Sequence, residues 1–268
     1  MSDPETYALY AIHYAFRDTS LRRDLFIGAD PHESSPMPID YYLWAIVNDN
    51  RTIVVDTGFN HDEAERRGRK VVRLPREGLA MLGIEAAAVR DVIITHMHYD
   101  HAGTLNDFPK ATFHIQDLEA AYVTGRQMNH EALRQAFSAE HVCNLVHKLF
   151  EGRVAFCDGE AEIAPGVTVH RIGGHTMGMQ CVRVLTQRGW VVLASDAAHF
   201  YEHMERKVPF PIVWNVEDML QGYDTLAKLA TSQQHIVPGH DPLVRSRYPS
   251  LRPDLQGAVI RLDIAPGS

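Results

Sequence analysis

The chain has 268 residues, 45% of them apolar and 22% charged, with a formal net charge of −8. This is enough material for a sizeable core in one large domain or two small ones, and the negative balance speaks against a nucleic-acid or anionic-membrane footprint, which needs clustered Lys and Arg. No run approaches about 18 apolar residues, no basic segment leads a long apolar one at the start, and Cys143, Cys157 and Cys181, odd in number and without a CxxC, fit reduced thiols in a cytoplasm better than a disulfide framework.

In chain order, "YYLWAIV" (41–47) and "TIVVD" (52–56) read as two strands joined by the hairpin-like "NDNR". The basic cluster "RRGRK" (66–70) reads as a solvated helix end, and "EGLAMLGI" (77–84) as a short helix. "VRDVIIT" (89–95) is a buried strand that runs into "HMHYDHAG", where Ala102 and Gly103 suggest a tight turn before a following helix. "ATFHIQ" (111–116) is a strand. From Asp117 to about Phe150 the period is helical, with Asp117 and Ser138 as caps. Strands return at 167–172, 181–186 and 190–195, the last two joined by the turn "QRG". Asn215 caps a helix over 216–230, and "HIVPGHD" (235–241) is a short strand entering a Pro-Gly turn. The tail "IAPGS" is expected to fray. Two sets of strands with a helical insertion at about 117–150 predict an α/β, sheet-on-sheet core with helices outside, as one domain over 1–268.

The chemistry gathers at strand ends. His96, His98, Asp100 and His101 stand within six positions. Residues two apart in an extended segment share a side, so His96 and His98 can reach one metal; Asp100 and His101, beyond the strand, can turn toward a second. "IGGHTMG", "LASDAAH" and "VPGHD" place His175, Asp196 and His240 just after later strands. Imidazole and carboxylate without thiolate suit zinc, and also iron, manganese or cobalt. Sixteen histidines fit that reading; His114, His130, His141, His147, His170 and His235, outside the motifs, read as surface or packing residues.

"THMHYDH" resembles the HxHxDH signature of the metallo-β-lactamase superfamily, and "GGHTMG", "SDAAH" and "PGHD" resemble its remaining ligand motifs in order, over about residues 41–241. Within that superfamily the chain looks most like the N-acyl-homoserine lactonase group. The resemblance implies an αββα sandwich of two mixed sheets and a site for two divalent ions, zinc first. It assigns His96, His98 and His175 to one ion, Asp100, His101 and His240 to the other, and Asp196 to both, with Asp56 of "VVDTG" supporting the ligands from behind. It implies a cytoplasmic, quorum-quenching type of hydrolase that opens a lactone ring, an N-acyl-homoserine lactone or a related small lactone, by a metal-bridging hydroxide, with Asp100 moving the proton. The expected partner is that small molecule, not nucleic acid or membrane; a homodimer is left open.

One position departs from the group. Lactonases of this kind usually carry a tyrosine three residues after the bridging aspartate, where it assists the substrate carbonyl; here that residue is His199. The role passes to His199, to a tyrosine from elsewhere, or is absent. Substrate walls are expected from "FRDTSLRRDLFIG" with "MPIDYY", from the insertion, and from 200–214, where Phe200, Phe210 and Trp214 surround Pro209 and Pro211. The alternatives are a glyoxalase-II-like thioesterase, a β-lactamase, a phosphodiesterase, or a mononuclear iron protein such as a sulfur dioxygenase or a sensor module. No basic C-terminal region suits glutathione, the charge is wrong for a nuclease, and residue 196 is Asp rather than the Cys of thiol-bearing β-lactamases.

Overall fold

Apolar residues at alternating positions set the layers of this molecule, for which a computed structural model describes residues 5–267. Along β2 (Ile39–Val47), Tyr42, Trp44 and Ile46 pack into the space between two sheets, whereas Tyr41, Leu43 and Ala45 pack outward under helices. Side chains of a strand alternate between faces, so an all-apolar strand must be covered on both sides. β11 (Gly189–Ser195) does the same in the other sheet: Val191 and Leu193 face inward, Val192 and Ala194 outward. Truncating a fully buried leucine such as Leu43 or Leu193 to Ala removes about 2–5 kcal/mol.

The first sheet has eight strands. β13 (Val259–Arg261), β1 (Ala8–Arg17), β2 and β3 (Thr52–Val55) run antiparallel to their neighbours. β5 (Asp91–Ile93), β6 (Thr112–Gln116) and β7 (Val154–Cys157) follow in parallel, and β4 (Lys70–Val71) pairs with the far end of β1. The second sheet is ordered β12 (Ile236–Pro238), β11, β10 (Gln180–Thr186), β9 (Val167–Arg171), β8 (Glu160–Ala164). Both are mixed, since β11 and β12 are parallel.

Helices α1 (His61–Arg67), α2 (Pro75–Ala80), α3 (Asp117–Val123), α4 (Glu131–Arg134) and α5 (Ala139–Phe150) belong to the first sheet's side. Ala64, Leu79, Tyr122 and Leu145 bury their apolar stripe. α7 (Val216–Leu229) covers the second sheet through Tyr223 and Leu226; α6 (Tyr201–Arg206) and α8 (Leu243–Arg247) are short. The result is the αββα sandwich of two mixed sheets. No helix among the described residues is long and apolar enough to cross a membrane.

Several local expectations change. Asn215 caps α7 as read, its side chain accepting from the amides of Glu217 and Asp218. Asp117 is the first residue of α3 rather than its cap, and Ser138 stands at the cap of α5 without bonding its amides; the Ser138 hydroxyl accepts from Arg66 instead. After Ala102–Gly103 comes only a 3-10 turn, Leu105–Asp107, and the next α-helix waits until β6 has been laid down. The tail is tied at Gly267, whose amide donates to the Arg247 carbonyl. β1 escapes a periodicity reading because both of its faces are buried, which erases polar alternation, and β7 and β8 are half-exposed edge strands of mixed composition.

Candidate metal centre

The loops that matter leave the carboxyl ends of β3, β5, β9, β11 and β12. Because β3 and β5 are parallel in one sheet and β11 and β12 in the other, their ends meet at one edge of the sandwich, the usual place for a site in open sheets with parallel strands. Two of these exits force non-glycine residues to positive φ: Asp56 at 60° and Ser195 at 46°, a conformation that costs energy and persists only where the surroundings impose it.

Asp56 shows what imposes it. Its buried carboxylate accepts from the Thr95 amide at 2.7 Å and the Thr95 hydroxyl at 2.8 Å, and pairs with His101 Nδ1 at 2.7 Å. Thr95 in turn touches Ser195 Oγ at 2.8 Å. The two strand exits are thereby locked together, with Asp56 on the outer nitrogen of His101.

The seven candidate ligands are all buried and come together in two overlapping groups. In the first, His98 Nδ1 lies 3.1 Å from His96 Nε2 and 2.8 Å from His175 Nε2, and Asp196 Oδ2 is 3.3 Å from His175 Nε2 and 3.8 Å from His96 Nε2. In the second, Asp196 Oδ1 lies 3.0 Å from His240 Nε2 and 3.3 Å from His101 Nε2, while Asp100 Oδ2 is 3.6 and 3.5 Å from the same two nitrogens. Asp196 therefore turns one oxygen to each group. Gly239 permits this approach: a Cβ there would stand 2.9 Å from Asp196 Oδ1 and 2.7 Å from the Ser195 carbonyl oxygen.

The outer nitrogens fix the inner ones. His175 Nδ1 bonds the Ile212 carbonyl at 2.7 Å, His240 Nδ1 the Asp40 carbonyl at 2.8 Å, and His101 Nδ1 Asp56. Each outer nitrogen then carries the hydrogen, and each Nε2 turns a lone pair inward, as metal-binding imidazoles require. Lone pairs about 3 Å apart repel unless a cation stands between them. His101 Nε2 and Asp196 Oδ1 are moreover buried without a hydrogen-bond partner, a costly condition that a metal ion relieves. The donor set thus fits divalent ions.

The charges agree. Burial pushes His96 and His98 well below the usual histidine range, keeping them neutral. For His101 burial is outweighed by Asp196, Asp100 and Asp56, and for His240 by Asp196 and Asp100, so both are raised. Burial pushes the Asp196 carboxyl up, but the charge on His240 and His101 overcomes it and holds it ionised. Three carboxylates so placed demand positive charge, which is a proton in the bare chain and a metal ion in a loaded one; uptake must therefore displace protons.

His199 joins the cluster from the loop after β11. Its Nε2 is 2.8 Å from Asp196 Oδ2, and its ring lies flat on Phe210 at 3.5 Å and 11°. Burial pushes it well below the usual range despite Asp196, so it is a neutral imidazole. Tyr41 and Tyr99 line the same cavity, and the Tyr99 hydroxyl donates to Tyr41 at 3.0 Å. All three expected walls contribute to a cavity of about 250 Å³, through Leu25, Ile39, Ala136, Phe210, Pro211 and Ile212. Phe200 instead lies in the outer core, and Trp214 packs on Tyr122, outside the cavity. Nor is "RRGRK" merely a solvated helix end: Arg67 lies 4.0 Å over the Tyr99 ring and Arg69 Nε donates to the Tyr99 hydroxyl at 2.9 Å.

Glu119, in the stretch whose period is helical, is part of the site's frame. Fully buried, it accepts from the Met97 amide at 2.8 Å through one oxygen, and from the Thr176 hydroxyl at 2.5 Å and the Gly178 amide at 3.2 Å through the other. It joins the His96–His98 segment to the His175 loop. Nothing in "DLEAAY" signals this, because the partners are backbone amides 22 and 59 positions away. Glu119→Gln must turn its amide group toward a donor and lose bonds on that edge. Metal affinity is expected to fall about 10–100-fold, with about 1–3 kcal/mol of stability lost. A chelator-competition titration checks this; unchanged affinity in a merely less stable protein would show that Glu119 is only packing.

Residues 38–245 match the family described as the Metallo-beta-lactamase superfamily. A Mycobacterium tuberculosis chain named "Probable metallo-hydrolase" is 29% identical over 221 residues, covering 75% of this chain and 71% of its own. An N-acyl homoserine lactonase of a Bacillus species is 28% identical over 229 residues, covering 79% and 84%. Among solved structures, a quorum-quenching N-acyl homoserine lactone lactonase superposes with a TM-score of 0.72 at 23% identity, covering 89% of this chain and 94% of that one; at that identity the likeness speaks for the fold.

Proposed function

The chain belongs to the metallo-beta-lactamase superfamily, and from that premise we propose that it is a dinuclear metal-dependent hydrolase that opens a lactone ring, an N-acyl-homoserine lactone or a related small lactone. The observation that carries the proposal is the Asp196 carboxylate, with Oδ2 toward His96, His98 and His175 and Oδ1 toward His101 and His240. Two groups of ligands sharing one carboxylate suit a close metal pair better than a single ion. The lactonase relative and the small cavity favour a ring ester over a thioester or phosphodiester.

His96, His98 and His175 would hold one ion, Asp100, His101 and His240 the other, and Asp196 both. Divalent ions there, zinc by preference, supply Lewis acidity and make water a nucleophile near neutral pH. The protein does the rest. Phe210, Pro211 and Ile212 keep bulk water from one side of the cavity. His199, its plane fixed by Phe210, is a neutral imidazole whose Nε2–H is held by Asp196 Oδ2 at 2.8 Å; with that oxygen taken up by an ion, the Nε2–H would be the donor left for the place where the carbonyl oxygen gathers charge. Asp100, beside both His101 and His240, accepts the proton of the attacking water and returns it to the ring oxygen as the C–O bond breaks.

The test combines metal analysis with a substrate panel of γ-lactones, thioesters and phosphodiesters on metal-replete protein. About two metals per chain and selective opening of lactones are expected. One iron per chain with oxygen consumption, or turnover confined to thioesters or phosphodiesters, would refute the proposal.

A further inference from the structure

The part of the cavity wall contributed by β1 and the segment before β4 carries two arginines, Arg17 and Arg69, with no ion-pair partner among the described residues. Arg17 ends β1, and Arg69 immediately precedes β4. These strands pair antiparallel, Ala15 opposite Val71 and Phe16 opposite Lys70, so the next position of the ladder sets Arg17 opposite Arg69. Like charges directly across a strand pair repel and are unfavourable unless something compensates them.

Among the described residues no carboxylate forms an ion pair with them; Asp100 favours the charged form of Arg69 only from farther off, and that carboxylate belongs to the ligand cluster. The arginine ion pairs among the described residues use other arginines. Arg69 spends Nε on Tyr99 and one Nη on the Arg67 carbonyl, while Arg17 makes only a 3.5 Å contact to Thr19. Arg67, by contrast, is fully used, on Glu63 and the carbonyls of Gln135 and Phe137. The one acid on this wall, Asp24, is turned to the Leu21 amide. Both guanidiniums line the cavity that also holds the ligand cluster, Arg69 with part of its N–H donors already used.

We propose that Arg17 and Arg69 bind a carboxylate carried by the substrate away from its ring ester bond, so that the substrate is a small anionic lactone rather than a neutral one with a long acyl chain. Guanidiniums match a carboxylate with paired N–H bonds. The volume of about 250 Å³ lies below the roughly 300–1,000 Å³ of pockets for drug-sized ligands and suits a single ring with one short substituent. Hydrolysis then adds water across the ring C–O bond and yields a hydroxy-dicarboxylate.

The inference rests on the lactonase reading, and its test separates the two. Metal-loaded protein is assayed with γ-butyrolactone and with γ-butyrolactone bearing a carboxylate on the γ carbon. The carboxylated ring is expected to have a kcat/KM at least about tenfold higher, by the worth of one charged hydrogen bond. Arg17→Met and Arg69→Met should each erase most of that ratio through KM. Equal kcat/KM for the two rings, or a preference that survives both substitutions, overturns the carboxylate site while leaving lactone opening intact. If neither ring opens, the lactonase reading falls. Calorimetric titration with glutarate then decides the site: binding weakened at least tenfold by Arg17→Met upholds it, and absence of binding to the wild-type chain overturns it.

Discussion

Asp196→Asn is expected to leave a folded protein that holds fewer than two metal ions and has lost more than about 10³-fold in lactone opening. The substitution keeps the shape and removes the charge. An asparagine offers one oxygen, whereas Asp196 turns Oδ2 to the His96–His98–His175 group and Oδ1 to His101 and His240. The NH2 of the amide is a donor with no lone pair to offer an ion, so one of the two groups loses its shared ligand. Changing a group that merely supports a ligand costs about 10–100-fold in affinity or activity, so loss of a directly bound and shared carboxylate should exceed that range. Elemental analysis with kcat on a γ-lactone is the check. Two retained metals and a rate within tenfold of wild type would mean that Asp196 does not join two ions.

His199→Ala is expected to lower kcat by about 10²–10³, the usual cost of losing one donor to a developing oxyanion, with metal content unchanged. His199→Tyr, which restores the residue usual in lactonases of this kind, should recover part of the loss, because a phenol keeps a donor near the same place. The distinguishing readout is metal content. His199 Nε2 stands 2.8 Å from Asp196 Oδ2, and Asp196, His199 and His240 are close enough to hold an ion among themselves. If His199→Ala loses metal in step with activity, His199 is a ligand; if it loses thermal stability alone, its stacking on Phe210 is what matters.

Much of the site was legible because metal chemistry restricts residue type and because the ligands come in short runs after strands. His96, His98, Asp100 and His101 stand out by spacing alone, and His175, Asp196 and His240 by their common position at strand exits; the structure brings the seven together. The frame behind them was not legible. Glu119 works through backbone amides of distant loops, and Asp40 holds His240 with a carbonyl that any residue would supply. The cavity's charge was misread for a related reason. "RRGRK" looks like a solvated run until β4 folds against β1 and sets Arg69 beside Arg17.

By itself, the sequence determined the chemistry on offer: imidazoles and carboxylates without thiolate, arranged after apolar strands, in an acidic chain with material for two sheets. Only the tertiary structure decided how that chemistry is shared. Asp196 faces two groups at once because parallel β3 and β5 in one sheet and parallel β11 and β12 in the other end at a common edge. Arg17 and Arg69, without an ion-pair partner among the described residues, line the cavity there because an antiparallel ladder between segments over fifty residues apart brings their strands together. Local spacing encodes which ligands lie on one loop; distances between loops depend on strand order and register, which no single segment carries.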